Sequence, residues 1–160
     1  MSKPEVYMLC GPAGSGKTTH AEKLVAQGAS KLSIDESMAQ HGKAGEDYPV
    51  EEYPALEREV LRKNREALVG AITVGETVVL DYGFGRREER DEYKALIEES
   101  GGNWRLLYFA TPRDELWQRL RARNQQVGPN AMPVSQQLLD DMLRWFEVPN
   151  REGEEIVNTP

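Results

Sequence analysis

At 160 residues, with 39% hydrophobic and 29% charged residues, the chain has the size and composition of one globular domain spanning residues 1–160. No apolar run approaches a membrane span, the opening residues lack a signal-peptide core, and a single cysteine excludes an internal disulfide, so we expect a cytoplasmic protein. The net charge of −7 argues against a protein built mainly to hold long nucleic acid.

Apolar runs alternate with helical periods along the chain, which is typical of a parallel sheet with helices on both faces. The runs predict strands at 6–10, 31–34, 77–80 and 104–109, with a short fifth strand at 155–158. Apolar residues at helical spacing predict helices over 18–27, 56–72, 93–97, 112–123 and 138–146. Thr111, before Pro112, is expected to cap the helix that follows it.

The strongest signal lies between the first strand and the first helix, where residues 11–18 read GPAGSGKT. They match G-x-x-x-x-G-K-[ST] at every fixed position, and the flanking strand and helix disfavour an incidental glycine-rich turn. Backbone N–H groups in such a loop point at one anion, Lys17 reaches the β- and γ-phosphates, and the Thr18 hydroxyl holds Mg²⁺. The predicted nucleotide contacts are Gly11, Pro12, Ala13, Gly14, Ser15, Gly16, Lys17, Thr18 and Thr19.

Two aspartates end predicted strands and should face the bound phosphates, because ligands of such sheets bind beyond the carboxyl ends of the strands. Asp81 is predicted to help hold Mg²⁺; the alternative is a turn-forming aspartate before Tyr82. Asp35 is predicted to be the general base that accepts the proton of an acceptor hydroxyl. The alternative is that Asp35 caps a helix beginning at Glu36.

Arginines at helical spacing precede a glycine- and proline-containing break. Arg119 and Arg123 are spaced i, i+4 and share one helix face, and the segment of about 119–134 resembles a lid. An arginine brought over a triphosphate by lid closure adds about 10³–10⁵ in rate, so we predict a catalytic role for both. The alternative is an ordinary solvated basic face.

Two further charged segments leave alternatives open. An acidic stretch with tyrosines at 46–59 would suit a cationic or neutral hydroxylated acceptor better than a phosphorylated one, or is simply a solvated helix start. Arg86, Arg87 and Arg90 either contact acceptor or phosphate or pair with nearby acids at the surface. No cysteine or histidine spacing indicates zinc.

Four motifs together resemble a known group: residues 11–19, 32–35 (LSID), 79–84 (VLDYGF) and 116–124 (LxxRxxxRN). They resemble the small P-loop predicted kinases often labelled AAA-family ATPases, a group similar to phage polynucleotide kinase, chloramphenicol phosphotransferase and zeta toxins. The resemblance implies a P-loop NTPase three-layer α/β/α fold, with a five-stranded parallel sheet of order 2-3-1-4-5 and a small helical lid. It also matches Asp35 to the general base, and Arg119 and Arg123 to the lid arginines.

The function implied is transfer of the γ-phosphoryl group of ATP, with Mg²⁺, to a hydroxyl of a small molecule. Met38 stands where polynucleotide kinases carry an arginine, three residues after the base, which weakens a nucleic-acid acceptor. The alternatives are a 5′-hydroxyl polynucleotide kinase and a non-catalytic ATP-dependent switch protein.

Overall fold

The computed structural model describes residues 2–125 and 134–158. Its strands are β1 (Glu5–Cys10), β2 (Ser30–Ser33), β3 (Val78–Gly83), β4 (Asn103–Phe109) and β5 (Glu154–Val157). All neighbouring pairs are parallel, in the order β2-β3-β1-β4-β5, which confirms the predicted topology.

Helices lie on both faces of this sheet, as the alternation of apolar runs and helical periods predicted. They are α1 (Lys17–Ala26), α2 (Ile34–Ala39), α3 (Tyr53–Thr73), α4 (Arg87–Glu99), α5 (Arg113–Arg123) and α6 (Gln136–Trp145), with one 3₁₀ turn at Val50–Glu52. No helix within the described ranges has the length and apolar character needed to cross a membrane.

Side chains alternate along β1 because successive residues of a strand point to opposite faces. Val6, Met8 and Cys10 pack with α3 and α4, whereas Leu9 packs with α1 on the other face. The Cys10 thiol donates a hydrogen bond of 3.5 Å to the Phe84 carbonyl, and burial raises its pKa to about 12. Cys10 is therefore a small buried core residue, as its position at the end of a strand suggested.

One helix start differs from the prediction. Pro112, not Thr111, is the N-cap of α5, and no side chain caps the helix. The Thr111 hydroxyl instead donates to the Ser15 carbonyl at 3.4 Å. The local pattern was correct about where the helix begins but could not show that a loop distant in sequence competes for this hydroxyl.

The order of the strands decides where the site lies. β1 pairs with β3 on one side and β4 on the other, so the loop after β1 leaves the centre of the sheet at its carboxyl edge. The Gly11 N–H donates to the Gly83 carbonyl at 3.0 Å and so fastens this loop to the end of β3.

Candidate functional site

The loop between β1 and α1 has a conformation that only its glycines allow. Gly14 has a φ of 85°, and a Cβ atom built there would lie 3.2 Å from Leu120 of α5. A Cβ atom at Gly11 would lie 2.6 Å from the Ser15 hydroxyl, which is too close for any larger residue. Together with the start of α1 at Lys17, this turn is the compact loop on a helix N-terminus that binds phosphate groups in other proteins.

Lys17 lies at the base of this loop. Its Nζ donates to the Pro12 carbonyl at 3.1 Å. Burial lowers the pKa of Lys17, while the carboxylates of Asp81 and Asp35 oppose that shift. The ammonium group thus sits in a poorly hydrated position with negative charge nearby, where phosphate oxygens can replace water.

Thr18 and Asp81 lie next to each other, as a shared metal site requires. The Thr18 hydroxyl donates to Oδ2 of Asp81 at 2.9 Å. A hydroxyl and a carboxylate are the hard oxygen ligands that Mg²⁺ prefers, so the residues fit this ion. Since the described ranges contain no group of three or more acidic, histidine or cysteine ligands, phosphate and water oxygens would have to supply the rest.

Asp81 is not at the end of its strand, as we had expected. β3 continues through Tyr82 to Gly83, and Asp81 pairs in register with Ser33 of β2. The odd-numbered residues of β3 face α1, because Val79 packs with Ala21 of that helix. This alternation is why Asp81 points at Thr18.

Asp35 lies in the first turn of α2 and not at the end of β2, which stops at Ser33. The capping alternative for Asp35 is wrong, because the Ser33 hydroxyl is the N-cap and accepts from the Glu36 N–H at 3.3 Å. The Asp35 carboxylate is exposed, and its charge helps to raise the pKa of both Lys17 and Tyr53. It therefore faces the space between the phosphate loop and the start of α3.

The two predicted arginines are on α5, which packs directly on the phosphate loop. Arg119 donates from Nη1 to the Gly14 carbonyl at 3.1 Å and from Nη2 to Glu115 at 2.6 Å. Arg123 is exposed, and its charge lowers the pKa of Lys17. Both thus lie on the phosphate side of the site. Of the lid predicted at about 119–134, residues 126–133 lie outside the described residues.

Neither alternative for the three arginines after Asp81 holds for all of them. Arg87 pairs at the surface with Asp91 at 3.8 Å. Arg86 lies over the exposed Trp145 ring, 4.1 Å from its centroid, and donates to the Trp145 carbonyl. Arg90 is fully buried and donates to both carboxylate oxygens of Glu152, at 2.7 and 3.0 Å. Arg90 is therefore a core residue and contacts neither substrate.

Two residues at the site were missed by sequence reasoning. Glu115 fixes the guanidinium of Arg119, and its i, i+4 spacing was a signal that could have found it. Thr111 contacts the phosphate loop through the Ser15 carbonyl, and no local pattern announces that contact.

Comparison with known proteins gives the family and the fold. A family model described as AAA domain matches residues 6–149. Among proteins of curated function, none matches the sequence. A gluconokinase from Sinorhizobium meliloti 1021 is similar in structure, with a TM-score of 0.63 at 19% identity over 99% of this chain and 84% of that one.

Two other solved structures are similar over almost the whole chain. The APS kinase CysC of Mycobacterium tuberculosis, in complex with AMPPNP and APS, has a TM-score of 0.61 at 18% identity, over 99% of this chain and 90% of that one. A chain of the Pnkp1/Rnl/Hen1 RNA repair complex has a TM-score of 0.66 at 18% identity, over 97% of this chain and 50% of that one. At such identities the likeness concerns the fold. The chain belongs to the AAA domain family and has the fold of the small P-loop kinases.

Proposed function

We propose that this protein is an ATP-dependent phosphotransferase that moves the γ-phosphoryl group of ATP to a hydroxyl of a small molecule, with residues 1–160 acting as one catalytic domain. The observation that carries the proposal is the convergence of two carboxylates, Asp81 and Asp35, on the buried ammonium of Lys17. A phosphate-binding loop alone would suit any nucleotide-binding protein. A second carboxylate, exposed on the side away from the metal ligands, is what a kinase needs and a passive binder does not.

Binding of the nucleotide is assigned to the loop and the charges around it. The backbone N–H groups of residues 11–18 hold the phosphates, and Lys17 neutralises the β- and γ-phosphates. Arg119 and Arg123 approach from α5 and stabilise the charge that builds on the transferred group. Because Glu115 already orients Arg119, little freedom remains to be lost when the phosphoryl group arrives.

Thr18 and Asp81 are the residues that would hold magnesium, Asp81 directly or through a water. When bound, Mg²⁺ screens the charges of the β- and γ-phosphates and orients them. The existing contact between the Thr18 hydroxyl and Asp81 holds the two oxygens together in advance.

Asp35 accepts the proton from the acceptor hydroxyl. The acceptor oxygen forms a bond to the γ-phosphorus, the bond from that phosphorus to the bridging β–γ oxygen breaks, and ADP leaves with the electron pair. The proton of the hydroxyl passes to the Asp35 carboxylate. Most of the rate acceleration comes from positioning and charge stabilisation, and the base adds about 10²–10⁴.

The test is Asp35→Asn, an isosteric change that removes the base and leaves the phosphate loop intact. Protein is incubated with labelled ATP and a panel of sugars, polyols, nucleosides, aminoglycosides and oligonucleotides, and phosphorylated products are separated. We expect Asp35→Asn to bind ATP normally and to lose about 10²–10⁴ in rate. Glu36→Gln is the matched control, because it removes an exposed carboxylate of the same helix that pairs with Lys31.

Full activity of Asp35→Asn on the true acceptor would contradict the base assignment. Phosphorylation of oligonucleotides alone would favour a polynucleotide kinase, but Met38 is 8% exposed and offers a 5′-end no charge. Slow hydrolysis that no acceptor accelerates, with an ATP-dependent protein partner, would favour a switch protein.

A further inference from the structure

One face of α3 continues from the protein core to the proposed acceptor space. Tyr53, Glu57, Val60 and Asn64 are spaced by four, three and four residues and so share this face. Its lower part is buried, since Val60 is 3% and Asn64 is 8% exposed, and the Asn64 side chain donates to Ser37 of α2 at 3.3 Å. The face therefore looks toward α2, and its upper end, with Tyr53, extends beyond that contact into solvent.

This upper end lies beside the proposed base. Burial, then the Glu57 carboxylate, and further the charges of Tyr48 and Asp35, all raise the pKa of Tyr53. Tyr53 is 40% exposed, so its ring is free to take part in a contact. Tyr53 and Glu57 thus form a wall opposite Lys17, with Asp35 between the wall and the phosphate loop.

A cleft adjoins the wall. It has a volume of about 420 Å³, enough for a small molecule, and Tyr48 belongs both to its lining and to the surroundings of Tyr53. The lining combines apolar, aromatic and acidic side chains: His41, Tyr48, Glu52, Ala55 and Leu56.

The carboxylates of the wall and cleft are not neutralised by neighbouring cations. In the part of the chain that the structure describes, neither Glu52 nor Glu57 forms an ion pair with a lysine or arginine. Further along the same helix, Arg62 pairs with both Glu59 and Glu66, at 2.6 and 2.5 Å. Surface acids on α3 are therefore paired where they are remote from Asp35 and left unpaired where they approach it.

We propose that this wall and cleft bind the acceptor, and that the acceptor is a small alcohol that also carries an ammonium group. The hydroxyl lies at Asp35, the ammonium lies between Glu52 and Glu57, and the rings of Tyr48 and Tyr53 contact the molecule between them. Carboxylates combined with aromatic faces are suited to cations, because both attract positive charge. The inference rests on the proposed function and narrows its substrate class.

The same charges exclude other acceptors. A phosphorylated sugar or a nucleic acid 5′-end would bring negative charge to Glu52 and Glu57, with no arginine or lysine of the described chain on this wall to offset it. A neutral sugar avoids this repulsion and loses the attraction. We therefore expect cationic acceptors to bind more tightly than neutral ones and neutral ones more tightly than anionic ones.

The experiment measures binding separately from turnover. Protein with labelled tyrosines, saturated with a non-hydrolysable ATP analogue, is titrated with glucosamine, glucose and gluconate, which differ mainly in charge, and with kanamycin as a larger amine. We expect an amine to shift the ring signals of Tyr48 and Tyr53, and gluconate to leave them unchanged. Glu52→Gln and Glu57→Gln should each weaken amine binding roughly tenfold. Glu51→Gln, which removes a charge from the same turn without lining the cleft, should not.

Three results would overturn the inference: gluconate binding as tightly as glucosamine, neither amine shifting the two tyrosine signals, or Glu51→Gln weakening binding as much as Glu57→Gln. Equal phosphorylation of glucose and glucosamine would also overturn it while supporting the phosphotransferase. Tight amine binding with no transfer to any alcohol would leave this site standing and contradict the proposed function.

Discussion

Lys17 shows how one residue can be held in a state that favours its ligand. Its ammonium is buried, which is unfavourable, and the carboxylates of Asp81 and Asp35 offset only part of that cost, since the pKa stays lowered. A triphosphate supplies further negative charge at this point. The nucleotide should therefore bind most tightly when Lys17 is protonated.

This gives a prediction about pH. Because the pKa of Lys17 lies below its ordinary value of 10.5, the free protein loses this charge earlier on the alkaline side than an exposed lysine does. We expect the affinity for ATP, measured by calorimetry, to fall as pH rises toward 10.5, over a range in which the phosphates of ATP are already ionised. Lys17→Ala should bind weakly at every pH and lack this alkaline decline, whereas Lys23→Ala should behave like the parent protein.

Most residues of the candidate site were predictable from sequence, because a phosphate loop has a fixed spacing with a physical reason for each position. The placement of Asp35 in a helix was not, since the β-branched Ile34 favours a strand and Ser33 has equal claim to end one. Tyr53 and Glu57 were within the acidic stretch 46–59. Only the packing of α3 on α2 separates them from their solvated neighbours.

At the scale of elements, one buried ion pair joins α4 to the segment before β5. Arg90 and Glu152 are 0% and 7% exposed, and Arg90 also donates to the Phe84 carbonyl at 2.7 Å. Sequence analysis could not identify this pair, because the partners are 62 residues apart and Arg90 stands among charged residues typical of a solvated helix. The sheet order, by contrast, was accessible from the resemblance and from the alternation of strands and helices.

Removing one partner of this pair leaves a buried charge without compensation. We expect Glu152→Gln to lower the free energy of unfolding by about 3 kcal/mol, measured by urea denaturation. Glu155→Gln is the control, because Glu155 pairs with Arg105 at the surface and should cost less than about 1 kcal/mol. Equal losses for the two variants would show that burial does not distinguish these pairs.

The same pair gives the acid side of the stability curve. Hydrogen bonds from Arg90 hold the pKa of Glu152 below its ordinary value of 4.5 in the folded protein. Its contribution is therefore complete well above pH 4.5 and is lost as pH falls through the lowered folded-state pKa. In Glu152→Gln, this part of the acid dependence should be absent.

For the whole molecule, the net charge of −7 conceals two opposite ends. Lys17, Arg119 and Arg123 surround the phosphate loop, whereas Glu52 and Glu57 lie on the acceptor side without cationic partners in the described chain. A chain with a negative total charge can thus hold a triphosphate at one end of its site and attract a cation at the other.

Binding of ATP should stabilise the whole fold, because only the folded loop can hold it. At 100 times the dissociation constant, the gain is about 2.7 kcal/mol, which corresponds to a rise of roughly 5–10 °C in Tm for a chain of this size. We expect chelation of Mg²⁺ to reduce this rise in the parent protein. In Asp81→Asn the rise should be smaller from the start and respond less to chelation. An identical rise with and without the metal would contradict the assignment of Thr18 and Asp81.

The position of each strand in the sheet has a mechanical consequence. β1, which carries the phosphate loop, is hydrogen-bonded on both sides, whereas β2, which leads into α2 and Asp35, borders β3 alone and is four residues long. A rim strand can open locally at lower free energy than a central one. The chain therefore grips its energy donor on the stiffest part of the scaffold and meets its second substrate on the most yielding one. Molecules of differing bulk can be admitted there without loosening the hold on the triphosphate.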